Sequence, residues 1–170
     1  MNRFRLLGAV LVPLLSLPVQ AADGVELTTR VSGVVDSVLV TSGQQVQKGA
    51  VLLRLDDTIL RARADEAAAE LAHAEAGAAE AGRDYERAQE LFNRTVSSSG
   101  ELEAAVARQA RARAAVAGAQ ARLTIARKNL ADAELKAPFD ARVAAIPGMP
   151  GTVIAADCQP RPLVVLTPLR

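Results

Sequence analysis

Two short segments rich in valine and glycine lie near opposite ends of the chain, about eighty residues apart. The first is residues 31–56, VSGVVDSVLVTSGQQVQKGAVLLRLD, and the second, residues 137–169, begins APFDARVAAIPGMPGTV. Short runs of β-branched residues punctuated by glycine are typical of strands and turns. The segment between them is rich in alanine and charge instead. This arrangement predicts one small β-domain whose two halves are separated in sequence by an inserted helical element.

The first half has a regular spacing of glycines and apolar residues. Gly43 and Gly49 are six residues apart with Val46 midway, and Leu52 and Leu55 continue the three-residue interval. Glycines so placed predict tight turns in which a side chain would clash. The apolar residues are expected to fill a small sandwich core. The second half predicts three further strands, at residues 142–146, 152–155 and 163–167.

The intervening segment has a seven-residue repeat. Mostly small or apolar residues recur at alternating intervals of four and three from Thr58 to about Asn93, and again from about Ser99 to Leu135. The two series are residues 60, 64, 67, 71, 74, 78, 81, 85, 88 and 92, and residues 102, 105, 109, 112, 116, 119, 123, 126, 130 and 133. Such a repeat forms the seam of a coiled coil. A short polar connection at 94–99 joins two equally long helices, so an antiparallel hairpin over 58–135 is predicted.

Ser98 and Glu101 have the spacing of a capping box, in which a hydroxyl and a carboxylate each accept from a free backbone N–H group. They therefore predict the start of the second helix. If positions whose numbers add to about 194 face each other across the seam, Leu71 meets Leu123. Gly77 then lies near Gly118, and small residues there are expected to let the two backbones approach closely.

Charge is divided unevenly between the two helices. From Asp65 to Glu90 the first has eight acids and two arginines, and from Arg108 to Lys128 the second has six basic residues and no acid. Folded antiparallel, the two stretches lie alongside each other with opposite sign. Each exposed pair contributes only about 0.2–1 kcal/mol, but the asymmetry favours pairing of the two helices over self-pairing of either.

Residues 1–22 have the composition of a secretory signal peptide. Arg3 and Arg5 precede an apolar run from Leu6 to Leu17, and small residues follow near Ala21. The run is shorter than the roughly 20 apolar residues of a transmembrane helix, although an uncleaved membrane anchor stays an alternative. Without residues 1–21 the chain has 18 basic and 19 acidic residues. This near-neutral balance gives no reason to expect a nucleic-acid partner.

Few side chains suggest catalysis or metal binding. Cys158 is the only cysteine and His73 the only histidine, so no internal disulfide and no zinc site can form. Cys158 is interpreted as a small apolar residue near the end of a β-segment. The paired acids of the helical region are surrounded by solvent, which makes them poor general acids or bases. We expect no catalytic residues, no metal and no cofactor.

The first half, the hairpin and the returning Leu135-x-Ala137-Pro138-Phe139-Asp140 segment resemble, in this order, the periplasmic adaptor or membrane fusion protein family (HlyD-like, RND efflux type). The resemblance covers about residues 25–169. It implies an α+β fold, in which residues 25–56 and 137–169 form a lipoyl-like (barrel-sandwich hybrid) β-domain around the coiled-coil hairpin. It also implies a non-enzymatic periplasmic subunit of a tripartite efflux or secretion system. Such a subunit would form a homo-oligomer and link an inner-membrane transporter, or a companion adaptor subunit, to a TolC-like outer-membrane channel.

A finer resemblance concerns the tip of the hairpin. Adaptors of RND-type pumps carry an Arg-x3-Leu-x6-Ser pattern there, and Arg87, Leu91 and Ser98 have this spacing. The resemblance implies that these three residues contact the channel, with leucine supplying an apolar contact and arginine a fork of donors. Without that role they would be an ordinary surface arginine, a residue flanking the seam and a structural cap.

In the family, a β-barrel and a membrane-proximal domain follow the second half, whereas this sequence ends at Arg170. The expectation is a short form, with those domains supplied by another chain or lost. The alternatives are a stand-alone periplasmic coiled-coil interaction protein and a truncated, non-functional adaptor. A carrier domain for lipoate or biotin is disfavoured, because Lys48, Lys128 and Lys136 do not lie in the setting of a carrier lysine.

Overall fold

The computed structural model describes residues 24–95, 97–156 and 161–169, so the predicted signal peptide and Cys158 lie outside the described residues. The described chain forms a β-sandwich and a helical hairpin. In chain order its elements are β1 (Val25–Leu27), β2 (Gly33–Val38), β3 (Gln45–Val46), β4 (Val51–Leu55), α1 (Thr58–Asn93), α2 (Ser99–Ala131), β5 (Glu134–Lys136), β6 (Ala141–Ala145), β7 (Val153–Ile154) and β8 (Val164–Pro168).

The sandwich consists of two antiparallel sheets, and each sheet takes strands from both sides of the hairpin. One has the strand order β1-β8-β6-β3 and the other β5-β4-β2-β7. Val25 pairs with Leu166 and Gly33 with Ile154, so partners more than a hundred residues apart lie side by side. Because every sheet needs strands from both halves, neither half can complete a sheet alone. The predicted division of one β-domain into two sequence halves is confirmed.

The core consists of the apolar residues that the sequence pattern assigns to it. Leu52 is fully buried, and Val46 and Leu55 are 6% and 4% exposed. Leu163 and Leu166 contribute from the second half and are 1% and 0% exposed. Burial of this apolar area is the main force holding the halves together, at roughly 25 cal/mol per Å².

The glycine turns of the first half form as predicted, but for a different reason. Gly43 and Gly49 have φ values of +85° and +86°, a region that residues with a Cβ adopt at a cost. A Cβ built at either position would meet no atom within 4 Å. The expected clash is therefore wrong, and the requirement for glycine comes from the backbone conformation.

The Ala137-Pro138-Phe139-Asp140 segment holds the turn around Gly49. The Gly49 N–H donates to the carbonyl of Ala137 at 2.7 Å, and the Ala137 N–H donates to that of Ala50 at 2.9 Å. The Asp140 carboxylate accepts from the backbone N–H of Lys48 at 2.7 Å. Phe139 packs partly buried against the core. This segment therefore joins the second half to the first by backbone and side-chain bonds.

The second helix ends earlier than the heptad pattern predicts. α2 stops at Ala131, and residues 134–136 form β5, where Leu135 pairs with Leu53 of β4. The predicted end of the helix at Leu135, and of the hairpin with it, is wrong. Seam positions of a coiled coil and buried positions of a strand are both apolar. The apolar pattern therefore does not show where the chain changes from helix to strand. The second half of the sandwich accordingly begins at Glu134 rather than at Ala137.

The coiled-coil seam agrees with the predicted heptads. Within α1 and α2 every predicted seam position is buried or partly buried except Phe92, which is 41% exposed. Glu70 and Arg122 form an ion pair across the helices at 2.8 Å, and their numbers add to 192, close to the predicted sum of about 194. The described helices contain no apolar stretch that could cross a membrane.

The expected close approach at Gly77 and Gly118 is wrong. A Cβ at Gly77 would meet no atom within 4 Å, and one at Gly118 would meet only the Arg122 side chain. Both glycines border an open surface recess beside the seam. They do not lie between the helices because neither occupies a seam position.

Candidate partner-binding site at the hairpin tip

The tip is built by an unusual helix end and an ordinary helix start. After α1 ends, the N–H of Arg94 donates to Glu90 O at 3.1 Å and that of Thr95 to Phe92 O at 2.9 Å. Thr95 has φ +59°, a left-handed conformation that glycine commonly adopts after a helix and that costs a residue with a Cβ about 1–2 kcal/mol. Backbone strain of this kind often marks a functional segment.

The start of α2 is capped by Ser98. Its backbone is extended, with φ −82° and ψ 158°, and its hydroxyl accepts from the N–H of Glu101 at 3.4 Å. The serine half of the predicted capping box therefore forms. The neighbouring Ser97 hydroxyl is buried and finds no hydrogen-bond partner among the described residues, which is uncommon for a buried polar atom.

The three residues of the predicted triplet are all exposed and lie near the tip. Arg87 donates to Asp84 at 3.1 Å, an ion pair one turn apart on α1. Leu91 is 39% exposed and four residues beyond Arg87, so both lie on one face of α1. Ser98 lies across the turn. The structure thus presents these residues at one end of the hairpin.

Phe92 extends this surface, although the heptad pattern assigns it to the seam. It is 41% exposed, while Leu102, its predicted partner on α2, is only partly buried. The last seam position lies where α2 has barely begun, so α2 covers only part of the ring. Leu91 and Phe92 form an adjacent exposed apolar pair, which we call the tip pair. The sequence signal for the exposure of Phe92 was its place as the last position of the first heptad series.

A second concave region lies where the hairpin joins the sandwich. It encloses about 840 Å³ and is lined mainly by charged side chains. Arg61 pairs with Asp57 at 2.7 Å, and Glu134 pairs with Arg54 at 3.1 Å and with Lys136 at 2.9 Å. The hydrogen bond from Lys136, followed by that from Arg54, lowers the pKa of the Glu134 carboxyl. Each of these ion pairs lies within one part of the fold, Arg61–Asp57 at the start of α1 and the other two within β4 and β5.

In the described parts of the chain, no three His, Cys, Asp or Glu side chains are arranged to hold a metal ion. His73 is exposed on the side of α1.

A two-sheet sandwich assembled from two sequence halves, with a helical hairpin inserted between them, is a barrel-sandwich hybrid. Residues 23–167 match the family model described as RND MFP, barrel-sandwich hybrid domain. Because this match spans most of the sequence, the chain belongs to the membrane fusion protein family of RND-type efflux systems. The resemblance and the fold class drawn from the sequence are confirmed.

Relatives of known role agree with this assignment. The chain is 35% identical over 147 residues to the efflux pump periplasmic linker BepF of Brucella suis, covering 86% of this chain and 36% of that protein. It is 36% identical over 118 residues to the multidrug export protein AcrE of Escherichia coli, covering 69% of this chain and 31% of that protein. The chain therefore spans about a third of the length of these relatives.

Solved structures show the same fold. The membrane fusion protein Spr0693 from Streptococcus pneumoniae matches with a TM-score of 0.64 at 19% identity, over 86% of this chain and 58% of that one. ZneB from Cupriavidus metallidurans matches with a TM-score of 0.62 at 20% identity, over 88% of this chain and 62% of that one. At these identities the likeness concerns the fold alone.

Proposed function

We propose that the chain acts in the periplasm as an adaptor subunit of a tripartite efflux system. In this role it links an inner-membrane transporter, directly or through a companion adaptor subunit, to a TolC-like outer-membrane channel, and it associates with further copies of itself. The observation that carries the proposal is the tip pair, an exposed apolar surface at the far end of a long hairpin. In this role the chain positions its partners relative to one another and catalyses no reaction.

The hairpin suits a spanning role because of its length and stiffness. α1 has 36 residues, which corresponds to about 54 Å at 1.5 Å per residue. The Glu70–Arg122 ion pair and the seam hold the two helices together along this length. At the base, the helices join directly to β4 and β5, which pair with each other. Only two residues separate each helix from its strand, 56–57 before α1 and 132–133 after α2.

The tip offers the chemistry of a protein-binding surface. Leu91 and Phe92 are each about two-fifths exposed, and covering such side chains is favourable. The ion pair of Arg87 with Asp84 is exposed and contributes at most about 1 kcal/mol. A partner carboxylate or carbonyl can therefore replace Asp84 at little cost. The strained backbone at Thr95 and the buried Ser97 hydroxyl also support the proposal that the tip is a binding segment.

The test is a crosslinking experiment in cells. A photocrosslinking amino acid at Asn93, an exposed position beside the tip pair, is expected to capture an outer-membrane channel. Leu91→Ala and Phe92→Ala should each lower the yield several-fold. Ile59→Ala is the matched control, because Ile59 is 63% exposed at the opposite end of α1. Absence of a channel crosslink in the wild-type chain, or equal yields in all variants, would count against the proposal.

Ser98 needs a variant that separates capping from docking. Asparagine caps helices about as well as serine, so Ser98→Asn should keep the thermal stability of the hairpin while altering the surface. If Ser98 contacts the channel, this variant lowers the crosslink yield at unchanged melting temperature. An unchanged yield would restrict Ser98 to its capping role.

A further inference from the structure

The connection between α1 and α2 closes the hairpin at a local cost. Thr95 has a left-handed backbone, with φ +59°, a conformation that suits glycine and strains a β-branched residue. The Ser97 hydroxyl is buried without a hydrogen-bond partner in the described part of the chain. The cap hydrogen bond from the Glu101 N–H to the Ser98 hydroxyl is long, at 3.4 Å. These three features make the turn a weak point of the closed hairpin.

The sequence of this connection suits a helix as well as a turn. Residues 94–98 contain neither glycine nor proline, the two residues that oppose a helix most strongly. In a helix, Thr95 would adopt an ordinary right-handed backbone. The Ser97 hydroxyl could then donate to the carbonyl of Asn93, four residues earlier. Continuation of α1 into α2 would therefore relieve the features that are unfavourable in the turn.

The heptad series also continues through the connection. The α1 series ends at positions 85, 88 and 92, and the same alternation of three and four leads to 95, 99 and 102. Position 102 is the first of the α2 series. Two successive intervals of three, from 99 to 102 and on to 105, are accommodated in coiled coils by local overwinding. One uninterrupted helix from Thr58 to Ala131 would thus keep the seam on one face over about 110 Å.

An open hairpin separates the two halves of the sandwich, which then need a second chain. Each sheet combines strands from both halves, and Glu70 of α1 pairs with Arg122 of α2. A single open chain would therefore expose core residues such as Leu52 and Leu166, which the closed form buries completely. Two open chains placed antiparallel complete each other, because each α1 then faces an α2 and each first half faces a second half.

We propose that this chain binds a second copy of itself by exchanging segments. The connection at 94–98 opens, α1 and α2 become one helix, and α2 with the second β-half completes the fold of the other copy. The sandwich and the seam keep the same residue pairs, which are now made between chains. Only the connection changes, and the strain at Thr95 is lost in both copies. Short strained connections favour such an exchange.

The exposure of Phe92 fits the exchanged form. Its side chain is 41% exposed in the closed hairpin, where α2 begins only at Ser99. In the exchanged form, the predicted register places Phe92 opposite Leu102 of the second copy. The helix of that copy continues past this point in both directions, so it covers more of the ring. The tip pair then lies in the middle of a long helix, and the exchanged dimer presents no hairpin tip to a channel.

The experiment refolds the purified chain from urea at a series of protein concentrations and measures the dimer fraction by sedimentation velocity. The wild-type chain is expected to form a dimer whose fraction rises with concentration. Thr95→Gly is expected to lower the association constant by about tenfold or more, because glycine relieves the turn and weakens the continuous helix. Ser98→Ala is the opposing variant. It is expected to raise the constant by about tenfold or more, because it removes the cap and favours a helix.

A disulfide between the two halves distinguishes exchange from association through any other surface. Arg54 and Glu134 are partners on neighbouring strands β4 and β5, with side chains 3.1 Å apart, and such a pair suits a disulfide. The variant combines Arg54→Cys and Glu134→Cys with Cys158→Ser. After oxidation, a closed chain has this bond within itself, whereas an exchanged dimer is covalently joined. A denaturing gel without reductant separates the two products.

A covalently joined dimer, together with opposite effects of Thr95→Gly and Ser98→Ala, would support the exchange. A chain that stays monomeric at every concentration, even with Ser98→Ala, would overturn it, and so would a dimer whose disulfides lie within each chain. Equal dimer fractions in the wild type and both single variants would overturn the role assigned to the connection. Both substitutions lie at exposed positions, so the sandwich core is unchanged. Because no channel takes part, these outcomes are separate from those of tip crosslinking.

Discussion

Replacing Leu166 with alanine tests whether the two sequence halves form one cooperative unit. Leu166 is fully buried in β8, where it pairs with Val25 of the first half and Val143 of the second. The substitution removes three carbons, at about 0.8 kcal/mol each for lost burial. The cavity left behind adds to this, so a total of about 3–4 kcal/mol is expected. Small domains are stable by only about 5–15 kcal/mol.

The assay is amide hydrogen exchange at one reporter in each half. The Val143 N–H donates to Gln44 O, and the Leu55 N–H, in the other sheet, donates to Ala133 O, both at 2.9 Å. If the sandwich opens as a whole, protection at both amides falls together. A loss of about 3–4 kcal/mol corresponds to a decrease of about two to three orders of magnitude.

Leu169→Ala is the matched control, since it makes the same chemical change just after β8 at a side chain that is 42% exposed. It is expected to cost less than about 1 kcal/mol. The reasoning fails if Leu166→Ala lowers protection at Val143 while Leu55 keeps its wild-type protection. The two sheets would then open independently, and the hairpin would not be inserted into one cooperative domain.

Three smaller predictions follow from single positions. Gly49→Ala should destabilise the chain by about 1 kcal/mol in urea unfolding, because φ is +86° there; a neutral effect would mean that the turn relaxes. Gly77→Ala should instead stabilise it by about 0.5–1 kcal/mol, because this exposed helical glycine has open space for a Cβ; destabilisation would show that the recess is occupied. The hydroxyl and then the N–H of Thr58 donate to Asp56 and lower its pKa from 3.8. The folding stability that the ionised Asp56 carboxylate contributes is therefore present above pH 3.8, and it is lost as the pH falls through the lower folded-state pKa. The difference in unfolding free energy between the wild type and Asp56→Asn should shrink over that range, and a constant difference would contradict this linkage.

The sequence pattern predicts most of the local structure because that structure depends on residues close together in the chain. The heptad repeat places the seam correctly from Leu60 onward, since residues three and four apart share a helix face. The glycine interval predicts the turns at Gly43 and Gly49, because glycine alone adopts their conformation freely. The charge asymmetry of α1 and α2 is likewise visible in the sequence. It does not show that, among the described residues, the Glu70–Arg122 pair is the one ion pair that joins the two helices.

The candidate site could be predicted in part. The spacing of Arg87, Leu91 and Ser98 places them at the tip, and the structure confirms that they are exposed there. Phe92 was missed, because a heptad pattern assigns its side chain to the seam without showing how far the partner helix extends. The left-handed conformation of Thr95 was also missed, since threonine carries no local signal for it.

By itself the sequence determined the division into two β-halves and a hairpin, the family and the start of each helix. The tertiary structure decided which strands pair and where the second helix ends. Residues 132–135 continue an apolar pattern that suits either a helix or a strand. This segment leads into a strand because Leu135 pairs with β4. Such pairing joins residues about eighty apart, and local periodicity contains no information about partners at that distance.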